Sequence, residues 1–130
     1  MKERDFQKSV INEINKRFPG CIILKNDPTY KQGIPDLLIL YNRRWAMLEC
    51  KKSSKAPFRP NQEKYLKKLN YMSFASVIFP ENKEEVLNAL ERSLKVRRPA
   101  RLPVREQIPL DKLRRRKAHM DVQEHRACSA

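Results

Sequence analysis

Apolar residues open the chain at helical spacing. Phe6, Val10, Ile11, Ile14 and Phe18 fall on one stripe, which predicts a helix over residues 3–18 ended by Pro19-Gly20. Residues 21–25 (Cys-Ile-Ile-Leu-Lys) read as a first strand, and Asn26 to Gln32 as a polar loop. Two dense apolar runs follow, 35–41 and 44–51, rich in Leu, Ile, Tyr and Trp and joined by Asn42-Arg43. A Lys- and Ser-rich loop, 52–58, precedes a second helix over about 60–72, with Pro60 as its first residue and Tyr65, Leu66, Leu69 and Met72 as its stripe. Phe74 to Phe79 reads as a fourth strand broken by Pro80. Glu81 to Leu94 reads as a third helix whose acidic first turn (Glu81, Glu84, Glu85) suits the helix dipole. The order α-β-β-β-α-β-α predicts an α/β domain with a mixed sheet flanked by helices.

The middle hairpin can be given a register. A two-residue turn at Asn42-Arg43 pairs Tyr41 with Arg44 and sets Asp36 directly across from Glu49. Lys51 then shares the face of Glu49, because side chains alternate along a strand. A three-residue loop would instead put the two carboxylates on opposite faces. Leu38, Leu40, Trp45 and Met47 line one face of the hairpin, and Leu37, Ile39, Ala46 and Leu48 the other. Two apolar faces predict a central hairpin covered on both sides.

Composition adds charge to this picture. The 130 residues hold 29 Lys and Arg against 15 acids, a formal net charge of +14, which favours a polyanionic partner. The character of the chain changes near Leu94, dividing it into a domain over 1–94 and an extension over 95–130. The extension carries 11 Lys and Arg against 4 acids, is interrupted by Pro99, Pro103 and Pro109, and includes Arg114-Arg115-Arg116-Lys117. It reads as a mobile basic tail, with a weak helix from Leu110 to about Ala127, that adds non-specific affinity or has no specific role.

Several classes are disfavoured. No apolar run approaches the roughly 18–20 residues of a membrane span, and the N-terminus lacks a signal-peptide core. Cys21, Cys50 and Cys128 are too few and too scattered for a disulfide scaffold and fit a reducing cytoplasm. Gly20 and Gly33 are the only glycines, so no Gly-rich phosphate loop can form. His119 and His125 both lie in the tail, which argues against a His-activated nucleophile in the domain; with Cys128 they match no common zinc spacing.

What remains is a set of polar residues in apolar company. Burying a charge without a partner is heavily penalised, yet Asp36, Glu49 and Lys51 sit at the ends of the two most hydrophobic strands. Asp36 after Pro35 could merely open a strand, and Glu49 with Lys51 could be an ordinary ion pair. Opposed across a buried hairpin in a very basic chain, they read as a site. Glu3 and Gln7 interrupt the first helix's apolar stripe, with Glu13 at its edge as a fallback acid. Glu3 either reaches the hairpin end or sits in a frayed first turn. Gln62 lies on the apolar face of the second helix one turn before Leu66, where it could bond Lys51, a water or a phosphate, or cap the helix start.

Taken together, Glu3-x-x-Phe6-Gln7, Gln32-Gly33-Ile34-Pro35-Asp36, Glu49-Cys50-Lys51 and Arg59-Pro60-Asn61-Gln62 resemble the PD-(D/E)xK nuclease superfamily. Within it, they resemble the small phage and bacterial enzymes of the VRR-NUC and Holliday-junction-resolvase-like type. The resemblance covers about residues 3–94. It implies a restriction-endonuclease-like fold and Mg²⁺-dependent hydrolysis of DNA phosphodiesters, with Mn²⁺ able to substitute, in the cytoplasm of a bacterium or a phage-infected cell. Asp36, Glu49 and the Cys50 backbone carbonyl would then bind the ion, with Glu3 reaching it directly or through water. Lys51 would orient the attacking water, and Gln62 would support Lys51 or the phosphate. Gly33 would let the DNA backbone approach, and Lys25, Lys31, Lys52, Lys55 and Arg59 would contact phosphates.

The resulting expectation is a structure-selective endonuclease acting on branched DNA. Exonuclease or nickase action within the same superfamily is an alternative, and a junction resolvase would need two sites and hence a homodimer. A non-enzymatic basic nucleic-acid binder is the competing class. It explains the charge but leaves the carboxylates facing DNA without a purpose.

Overall fold

The computed structural model describes residues 2–95. Helix α1 spans Glu3–Arg17, strands β1, β2 and β3 span Ile22–Lys25, Leu37–Tyr41 and Arg44–Cys50, and helix α2 spans Gln62–Met72. Strand β4 spans Phe74–Ile78 and helix α3 Lys83–Lys95, after a 3₁₀ turn at Pro80–Asn82. The elements appear in the expected order with shifted ends. Helix α2 begins at Gln62 rather than Pro60 because Asn61 adopts a left-handed conformation, φ 69° and ψ −7°, that cannot continue into a helix. Pro80 opens a tight turn instead of only ending β4. Asn82 closes that corner: its Oδ1 accepts from Phe79 N at 2.8 Å and its Nδ2 donates to the Val77 carbonyl at 3.2 Å.

The four strands form one mixed sheet in the order β1-β2-β3-β4. Strands β1 to β3 are antiparallel neighbours, whereas β3 and β4 run parallel. A parallel pair needs a crossover, and the segment carrying α2 supplies it. Tyr41 pairs with Arg44 and Leu37 with Leu48, the register of a two-residue turn. Asn42, at φ 56°, takes the left-handed conformation that such a turn requires and that Asn tolerates better than most residues.

The helices sort by which face of the sheet their apolar stripes can cover. Phe6, Val10, Ile14 and Phe18 on α1 and at its end, with Val86, Leu87, Leu90 and Leu94 on α3, bury Leu37, Ile39, Ala46 and Leu48. Each buried Phe, Val, Ile or Leu here contributes about 1.5–3 kcal/mol, so this layer is the main core. Arg17 ties the two helices at their edge, bonding Glu13 at 3.3 Å, Asn88 at 3.0 Å and Glu84 at 2.8 Å. On the opposite face, Leu66 and Leu69 of α2 pack with Met47, Ala75, Leu38 and Trp45.

The hairpin is central, but its cover on the α2 side is uneven. Leu38, Leu40 and Trp45 are half-buried, and Ile22 and Leu24 on edge strand β1 are exposed, because the 11 residues of α2 cross only part of the sheet. Met72, expected in the α2 stripe, is exposed at the last residue of the helix. Lys95 closes α3, and the rest of the basic extension, with its Leu110–Ala127 segment and the Cys128, His119 and His125 set, lies outside the described residues. No helix among the described residues is long and apolar enough to cross a membrane.

Candidate active site

The end of the β2–β3 hairpin remote from its turn gathers the polar residues. Asp36 stands just ahead of β2, and its Oδ2 accepts a hydrogen bond from the Cys50 backbone N at 3.2 Å. Asn26 fixes the same segment from the β1 side. Its backbone N donates to the Asp36 carbonyl at 2.8 Å and its Nδ2 to the Pro35 carbonyl at 2.7 Å. One step beyond the Leu37–Leu48 pair, Asp36 meets Glu49.

Glu49 and Lys51 are only 3% and 5% exposed. Lys51 Nζ lies 3.5 Å from Glu49 Oε2 and donates to Gln62 Oε1 at 2.9 Å. The same Gln62 oxygen accepts the Arg59 backbone N–H at 2.8 Å, while Gln62 N donates to the Arg59 carbonyl at 3.1 Å. Gln62 therefore does both things weighed for it: it holds Lys51 and it caps the loop entering α2. An ammonium has three donors, so Lys51 keeps capacity for a further acceptor.

Two carboxylates brought together in this setting resist ionisation. Burial, and then the Asp36 charge, push the Glu49 carboxyl up from 4.5 to about 7, against the opposing pull of Lys51 and Gln62. Burial also raises Asp36; Glu3 adds to the rise, while the Cys50 N–H, Lys51 and Arg59 oppose it. The Cys50 thiol, wholly buried on the α1 and α3 face, is pushed up by burial and by the three nearby carboxylates. A thiol so placed is a core group and not a nucleophile.

Glu49 Oε1 is buried without a hydrogen-bond partner. No protein donor satisfies this oxygen, which leaves it free to accept from a water or to bind a cation. Among the described residues no group of three or more His, Cys, Asp or Glu side chains forms a ready-made metal cage. Two adjacent carboxylates, one with an unsatisfied oxygen, nevertheless match the demands of Mg²⁺ or Mn²⁺, which take hard oxygen ligands and keep several waters. The donor set fits a hydrated divalent ion and fits poorly to zinc, which prefers His and Cys.

Glu3, the first residue of α1, is half-buried and lines a cleft of about 510 Å³ with Lys2, Lys51, Lys52, Phe58 and Arg59. Glu13 is engaged by Arg17 at 3.3 Å, ten residues further along the helix, which is roughly 15 Å at 1.5 Å per residue. Of the residues expected to meet phosphates, Lys52 and Arg59 line the cleft. Lys25 and Lys55 are exposed but are not among the residues lining it, and Lys31 Nζ sits 5.5 Å from the centroid of the Tyr65 ring.

Gly33 has a packing reason to be glycine. At φ +94° a Cβ would lie 2.7 Å from Asn61 Cβ and 3.0 Å from the Pro60 carbonyl, so the space imagined for a DNA backbone holds the loop before α2. Sequence reasoning gave no role to Lys2 or Phe58, and named Asn26 and Asn61 only as part of a loop and of a motif. The signal for Phe58 was present: an aromatic between Pro57 and Pro60 in a basic loop has no apolar pattern to join. No family model matches the chain, and no curated protein matches it.

Proposed function

We propose that the chain is a metal-dependent DNA phosphodiesterase with a restriction-endonuclease-like fold of the PD-(D/E)xK type. The observation that carries this reading is the buried Glu49 Oε1 without a partner, set beside Asp36 and beside a lysine anchored by Gln62. A buried carboxylate oxygen with no protein donor, next to a second carboxylate, offers the hard oxygen donors that a hydrated divalent ion takes. Asp36 and Glu49 would hold Mg²⁺ or Mn²⁺, with the Cys50 carbonyl and Glu3 as further oxygen donors. When bound, the ion neutralises charge at the scissile phosphate and acidifies the attacking water.

The chain's own residues carry the remaining work. Gln62 fixes the Lys51 ammonium, whose free donor capacity orients the water and balances charge on the phosphorane-like transition state. The Arg59 backbone is tied to the same Gln62 oxygen, so the basic loop and the catalytic lysine share one anchor. Lys2, Lys52 and Arg59 give the cleft a positive field toward the DNA backbone.

The substrate we propose is branched or forked DNA, cut endonucleolytically, in the cytoplasm of a bacterium or phage-infected cell. Junction resolution would need a homodimer to supply two sites. The test is cleavage of labelled four-way-junction, forked, single-stranded and linear duplex DNA with Mg²⁺, Mn²⁺ or EDTA. Metal-dependent cutting that prefers branched substrates supports the proposal, and end-dependent shortening of linear DNA would replace it with an exonuclease. Salt-sensitive binding with no cutting under any condition would leave the basic-binder reading, which the net charge of +14 also supports.

A further inference from the structure

The chemistry above gives no role to Phe58. Its side chain is 49% exposed, and among the exposed large apolar side chains of the described residues it is the one that lines the cleft. Water-facing aromatic surface is unfavourable, and a ligand covering the ring would remove that cost. The ring follows Pro57 and precedes Arg59-Pro60, so two fixed φ angles restrict the loop that presents it. Its centroid is 6.0 Å from Lys51 Nζ. The polar lining is mostly cationic, Lys2, Lys51, Lys52 and Arg59 against Glu3, which favours a polyanion over an apolar protein segment.

We infer that Phe58 is a stacking platform for an unpaired nucleobase, so that the strand presented to Asp36 and Glu49 is single-stranded at the point of attack. The inference rests on the phosphodiesterase reading for the identity of the adjacent site. An aromatic ring flanked by cations is the recurring means of gripping single strands, because every base has a π-face and every nucleotide a phosphate. Bases inside a duplex are stacked and paired and cannot reach such a ring. Forks and junctions expose unpaired bases at the branch, and there the base on Phe58 belongs to a nucleotide beside the phosphate that faces Lys51.

The test is fluorescence-anisotropy binding in EDTA, where no metal-dependent cutting occurs. The probes are a short oligo-dT, an abasic oligonucleotide of equal length, and a blunt duplex. The wild-type protein should bind oligo-dT about 5- to 100-fold tighter than the abasic strand, the range expected for one stacked base. Phe58→Ala should lose that factor on oligo-dT while binding the abasic strand and duplex unchanged, and Phe58→Trp should keep it. Equal wild-type affinity for oligo-dT and the abasic strand would overturn the inference without reference to any variant, as would an equal loss by Phe58→Ala on all three probes. Base-dependent binding without cleavage in Mg²⁺ or Mn²⁺ would sink the enzyme and keep the platform. Base-independent binding with metal-dependent cutting of intact duplex would do the reverse.

Discussion

Glu49 should make the metal-free protein less stable as pH rises, and Glu49→Gln should remove that dependence. The carboxyl moves from 4.5 to about 7 on folding, with burial the first cause and Asp36 the second. The folded state therefore binds the proton more tightly than the unfolded chain. Stability from the protonated carboxyl is fully present below pH 4.5 and lost as pH climbs through about 7. At about 1.4 kcal/mol per pH unit, the interval amounts to about 3 kcal/mol. Asp36, also raised, acts in the same direction.

Glutamine keeps the shape and removes the charge, but it takes the Glu49 partner from Lys51 at 3.5 Å and leaves the lysine on Gln62 alone. That loss offsets part of the gain, so Glu49→Gln should be about 1–3 kcal/mol more stable than the parent at pH 8 and no more stable at pH 5. Urea unfolding in EDTA from pH 5 to 8 reads this directly. Trp45, the only tryptophan and half-buried against α2, provides the fluorescence signal. Parallel stability curves for the two proteins across that range would refute the buried, proton-hungry Glu49 on which the metal assignment depends.

Other consequences are equally specific. Gln62→Ala removes the acceptor for both Lys51 Nζ and Arg59 N. It should cost about 1–3 kcal/mol in urea unfolding and slow cleavage about 10- to 100-fold in single-turnover assays. Gly33→Ala should lower stability by about 2–4 kcal/mol in thermal melts, since a Cβ would sit 2.7 Å from Asn61 Cβ at a positive φ. Truncation after Lys95 removes most of a basic extension; DNA titrations at several salt concentrations should show weaker binding and a shallower salt slope, with the saturated cleavage rate unchanged.

The hairpin was the most legible part of the chain, since two dense apolar runs separated by a two-residue gap fix the turn and with it the register. That register also brought Asp36, Glu49 and Lys51 together, because charge at the end of an apolar strand is costly enough to mark itself. Gln62 was visible for the same reason on a helix face, but its double duty was not, as the Arg59 N–H it accepts comes from a loop with no periodic signal. The helix start at Gln62 was hidden by Pro60, a good first residue displaced by the left-handed Asn61. Asn26 could not be read in advance, because its bonds to Pro35 and Asp36 exist only once β1 lies beside β2. The exposure of Ile22 and Leu24 depends on how far α2 reaches across the sheet, a tertiary fact that strand pattern does not encode.

Lys51→Ala tests the central claim most directly. Lys51 is buried with its ammonium held between Glu49 and Gln62, where a purely architectural lysine and a catalytic one part company in rate and not in fold. Single-turnover cleavage of saturating forked DNA in Mg²⁺ should proceed in the parent and fall at least about 100-fold in Lys51→Ala, with DNA affinity retained. Equal rates in the two proteins, or no cleavage by the parent in any divalent ion, would contradict the account.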